Sequence, residues 1–60
     1  MAQREVLIEF TQIGRTVKVS AVDPETLTEV VIQGPAGAGL EVLRRNAIAK
    51  LDYVLSRKRG

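Results

Sequence analysis

Gly34-Pro35-Ala36-Gly37-Ala38-Gly39 is the stretch whose residue types come nearest to chemistry. A glycine loop opening a helix can cradle a phosphate with its backbone N–H groups. These glycines lack the GxGxxG spacing, and no Lys-Ser or Lys-Thr pair follows them as in a P-loop. The stretch is expected to be a connector. Carboxylates are the next resource, since metal-free acid–base work needs a cooperating pair. Glu5 and Glu9, four apart on a strand, share a face but stand roughly 13 Å apart. Asp23 and Glu25 belong to a turn, Glu41 can pair with Arg45 along a helix, and Asp52 lies near that polar face. The chain has no His and no Cys, so the commonest general base, the commonest zinc ligand and every disulfide are missing. The expectation is a protein that is not an enzyme, with no catalytic residue, no metal and no cofactor.

The cations form a second group. Arg44, Arg45 and Lys50 fall on the helical segment, and Arg57, Lys58 and Arg59 crowd its carboxyl end. Basic residues there interact favourably with the helix dipole and keep a small protein soluble. The functional alternative is a patch contacting the phosphates of RNA or DNA. Nine basic against seven acidic residues give a net charge of only +2, which is a mild bias. Phe10 and Tyr53 are the only aromatics, so a base-stacking surface would be thin.

The elements that must position these residues are legible in the hydrophobic period. Val6, Ile8 and Phe10 alternate with polar neighbours, predicting a strand over about 6–13. Gly14-Arg15 is a two-residue hairpin link whose glycine supplies a positive φ. Val17, Val19 and Ala21 repeat the alternation in a second strand over 16–22. With that link, Ile13 opposes Thr16, Phe10 opposes Val19 and Ile8 opposes Ala21, so the apolar sets share one face. A one-residue slip would oppose Phe10 to Lys18. Asp23-Pro24-Glu25-Thr26 is a turn, followed by a third strand over about 28–33. Pairing Val22 with Leu27 would set Val30 beside Val19 and Ile32 beside Val17. Residues 34–39 form the glycine-rich link. From Leu40 to about Arg57 the period is helical, with Leu43, Ala47, Ile48, Leu51, Val54 and Leu55 within an arc of about 140°.

The expected architecture is α+β over residues 1–60, a single small domain. It has a three-stranded antiparallel meander covered by one carboxyl-terminal amphipathic helix, in the order β-β-β-α. The expected core is Val6, Ile8, Phe10, Val17, Val19, Val30, Ile32, Leu40, Leu43, Ala47, Leu51, Val54 and Leu55. Truncating Phe10 to Ala is expected to cost about 3–5 kcal/mol.

Apolar residues remain outside that core. Leu7, Ile13, Val22, Leu27 and Val31 fall on the sheet's other face, and Val42 and Tyr53 lie nearly opposite the helix stripe. A 60-residue domain buries only about 60% of the surface its unfolded chain exposes, and burial then nearly cancels ordering entropy. Without disulfides, association is the common remedy, and the outer strands offer unpaired backbone groups. The seven residues are therefore expected to form a surface for a homodimer or another protein partner. A helix reaching a neighbour's sheet through the glycine link would make that dimer a domain swap. No apolar run approaches the roughly 18 residues that span a bilayer, and the amino terminus lacks a signal-peptide pattern. The expected setting is cytoplasmic, away from membranes.

Three resemblances add to this. The stretch LRRNAIAKLDYVL, after a meander, is similar to the last helix of the double-stranded-RNA-binding domain family. In this chain that family's first helix is missing, its basic cluster is reduced to Arg44-Arg45, and Leu43 stands at a basic position. The hairpin IGRTVKV is similar to that of swapped-hairpin DNA-binding antitoxins. Finally, REVLIEFTQIGRTVKVSAVDPETLTEVVIQGP, a glycine/alanine link and a helix ending YVLSRK resemble a family of short proteobacterial proteins classed only as a domain of unknown function. That last resemblance implies a free-standing bacterial protein and brings no activity, cofactor or catalytic residue.

Overall fold

Runs of β-branched residues alternating with polar ones stiffen the first half of the chain into strands. These are β1 (Leu7–Ile13), β2 (Thr16–Asp23) and β3 (Thr28–Pro35). The computed structural model describes residues 5–59, and places the strands in one antiparallel sheet in the order β1-β2-β3. A short 3-10 turn (Ala36–Ala38) then leads into α1 (Leu40–Arg59), giving β-β-β-α.

The first hairpin has the register expected from its pattern. Ile13 opposes Thr16, Phe10 opposes Val19 and Ile8 opposes Ala21. Of the two turn residues only Gly14 has a positive φ, 62°, which is the type II′ arrangement that matches strand twist.

The second hairpin departs from expectation by two residues. Val22 faces Glu29, Ala21 faces Val30 and Val19 faces Ile32. Asp23 is the cause. Its backbone stays in β2 while its buried carboxylate organises the turn, accepting from the Glu25 N–H at 3.3 Å and the Thr26 hydroxyl at 3.0 Å. The Leu27 N–H donates to the Asp23 carbonyl at 2.8 Å, with Leu27 at φ 59°. Thr26 also accepts from the Thr28 N–H at 3.3 Å. The reversal is thus Pro24 to Leu27, and pairing starts at Asp23 and Thr28. An even offset leaves every side chain on its expected face.

β3 also runs further than expected, taking Gly34 and Pro35 from the expected link. Gly34 pairs with Val17 and Pro35 with Thr16, and the Ala36 N–H continues to the Arg15 carbonyl at 2.8 Å. Proline is tolerated because that position's missing N–H faces the open edge. Glycine suits this position because a Cβ at Gly34 would displace the end of the Leu43 side chain.

The helix lays Leu43, Ala47, Leu51 and Leu55, an i,i+4 stripe, onto Val17, Val19, Ala21 and Val30. Each fully buried leucine or valine contributes about 1.5–3 kcal/mol. Val6, Ile8, Ile32, Ala36 and Val54 pack at the margin. Two expected core residues are not in it. Phe10 is 39% exposed and Leu40 is 52% exposed. The helix contacts β3 and β2, leaving the far side of β1 uncovered at Phe10. At the other end, Ala36 packs against the core while Leu40 does not. Ala21, fully buried, completes the core instead.

Candidate association surface

The strand register sorts the expected surface residues onto different parts of the molecule. Side chains alternate across a strand, so Leu7, Ile13, Val22 and Val31 share the sheet face away from α1. Leu7 and Val22 are direct neighbours, and Val31 lies diagonally beside them, next to Ser20. Ile13 stands at the opposite end, 67% exposed, beside Thr16. There it borders a shallow depression shared with Thr16, Lys18 and Gln33. Glu9, Thr11 and Lys18 separate the two apolar ends.

Leu27 does not join this face. It sits at the tip of the second hairpin, 80% exposed and in the left-handed region, a combination rare for a bulky side chain. Val42 and Tyr53 are exposed on α1, with the sheet behind the helix. The seven residues therefore occupy a sheet face, a loop tip and a helix back. They do not make one patch.

Three of the helix cations are engaged individually. Arg44 pairs with Glu41 at 3.1 Å. Arg57 donates to the Tyr53 hydroxyl at 3.1 Å and lies 5.7 Å from its ring centre. Lys50 donates to the Val31 carbonyl at 3.2 Å, across the open edge of β3. In helical projection Lys50 and Arg57 fall within about 20° of each other, whereas Arg44 and Arg45 lie about 120° and 140° from Lys50, so the four do not form one basic face. The side chains of Lys58 and Arg59 lie outside the described residues.

The outer strands of the sheet are treated differently, which the sequence pattern does not reveal. In antiparallel strands, alternate residues turn both backbone groups to the same side. The two-residue turn after Ile13 makes Ile13 and Thr16 a hydrogen-bonded pair. Counting from there, β3 turns the groups of Glu29, Val31 and Gln33 outward, and Lys50 covers the Val31 carbonyl. Pro35 ends that edge. β1 turns outward the groups of Ile8, Phe10 and Gln12. The described residues give those groups no backbone partner, and β1 has no proline, lysine or bulge over its seven residues.

The described residues include no cluster of acidic side chains able to hold a metal, and no described helix is long and apolar enough to cross a membrane. Residues 3–58 match a family model whose description is Domain of unknown function (DUF6898). No match is found among the curated proteins or among the solved structures.

Proposed function

We propose that this chain, which belongs to the DUF6898 family, works without catalysis, by association, first of all with a second copy of itself. The observation that carries the proposal is β1. Its backbone edge has no described partner, Phe10 beside that edge is uncovered by the helix, and Leu7 and Ile13 are exposed on the other face. Open edges of this kind invite strand pairing, and soluble proteins ordinarily block them. The other edge is blunted by Lys50, which covers the Val31 carbonyl, and by Pro35 at its end. The same proposal covers any further protein partner, which the dimer would meet through what remains exposed, and a cytoplasmic, bacterial setting.

Thermal unfolding tests the proposal. If folding is coupled to dimer formation, the unfolding midpoint rises with protein concentration. A midpoint independent of concentration contradicts it. A mobility shift with duplex RNA at low salt, lost as salt rises, would favour nucleic-acid binding through Arg44, Arg45, Lys50 and Arg57 instead.

A further inference from the structure

Resting on that reading, we infer that two copies pair β1 edge to β1 edge, antiparallel, about a two-fold axis at Phe10. This makes one continuous six-stranded sheet. Hydrogen-bond direction restricts the choice of register, because Ile8, Phe10 and Gln12 must face the same three residues of the second copy. The Phe10-centred register sets Phe10 against the second copy's Phe10 and Ile8 against its Gln12. On the opposite face it sets Leu7 against the second copy's Ile13, twice over, and Glu9 against its Thr11. Sliding by two residues one way puts Glu9 against Glu9 on the axis. Sliding by two the other way puts Glu9 against Ile13 and runs Leu7 past the end of the second copy's β1. Cross-strand pairs of like charge are unfavourable and apolar pairs favourable, so the Phe10-centred register is the one that charge and hydrophobicity both select.

The position of the helix agrees with this arrangement. The axis is perpendicular to the sheet, so both helices stay on one face. The Phe10 pair then lies between them, in the span that neither helix covers. Leu7, Phe10 and Ile13, three of the large apolar residues exposed in the single chain, each gain an apolar neighbour.

Single-cysteine variants test the register, since the chain has no cysteine of its own. Facing Phe10 positions would have Cα atoms about 5.5 Å apart, within the roughly 4.4–6.8 Å that a disulfide spans. Two Gln12 positions would be about 13 Å apart. Under mild oxidation, Phe10→Cys should yield cross-linked dimer at least tenfold faster than Gln12→Cys. Thr11 supplies a second test that leaves Phe10 in place. Thr11→Lys faces Glu9 of the second copy and should tighten association roughly fivefold; Thr11→Glu should weaken it by a similar factor. Within one chain Thr11 lies beside Lys18, so these charges act on the single chain with the opposite sign. A dimer in which Phe10→Cys cross-links no faster than Gln12→Cys, or in which the two Thr11 variants do not diverge in this order, overturns the register and leaves self-association standing. A chain that stays single at millimolar concentration overturns both.

Discussion

Gly34 and Leu27 show how much one position carries in so small a fold. At Gly34 the helix comes so close that Leu43 occupies the space of a side chain. Gly34→Ala must displace a buried leucine, and overpacking of that kind costs about 1–3 kcal/mol. The urea midpoint should fall accordingly; an unchanged midpoint would mean the helix shifts freely. Leu27 shows the reverse. It is held in the left-handed region with nearly all of its side chain in solvent. The conformation costs a non-glycine residue about 1–2 kcal/mol, so Leu27→Gly should raise stability by about 1 kcal/mol after the glycine's extra unfolded-state entropy. Denaturant unfolding of that variant checks it, and a lower midpoint contradicts it. Sequence pattern marks Gly34 as a breaker because it records conformational freedom, while close approach depends on which helix turn crosses the strand. At Leu27 the sequence shows only that a leucine stands where a turn would favour glycine, and the left-handed φ of 59° is fixed by the Asp23 turn.

At the scale of elements, periodicity is enough to place three strands and a helix, and to align the first hairpin residue by residue. A two-residue turn permits one register when a single face must be apolar. The second hairpin is harder because Asp23 could end the strand or begin the turn, and its side-chain bonds decide the matter. Asp23→Ala removes two acceptors from a buried site and should cost about 1–3 kcal/mol. Unfolding of Asp23→Ala checks this, and a loss below a few tenths would mean the backbone alone sets the turn. The position of the helix is not legible at all. Its length suits one sheet face, but nothing in its sequence says that it lies over β3 and β2 and leaves Phe10 partly open. Phe10→Ala should consequently cost the single chain much less than Leu51→Ala, for which about 2–5 kcal/mol is expected. Comparing the two in dilute solution, where dimer is scarce, reads the difference directly. Equal losses would return Phe10 to the core.

For the whole molecule, the eight buried apolar residues of the core have to offset the ordering of the described residues, with no disulfide to help. Association would supply the missing burial, and the sheet's asymmetry says where. One edge is blunted by Lys50 at the Val31 carbonyl and by Pro35 at its end, whereas the other carries no such device and is bordered by Leu7, Phe10 and Ile13. Leu7, Ile13, Leu27, Val31, Val42 and Tyr53 are exposed. The hydrophobic pattern separates the sheet-face residues from Val42 and Tyr53 on the helix, but it sets Leu27 on the sheet face, whereas the turn organised by Asp23 carries it to the hairpin tip. Sedimentation equilibrium of the intact chain, from micromolar to millimolar concentration, is the most direct measurement. A reversible shift to twice the single-chain mass is the predicted result, and a single-chain mass throughout would contradict it.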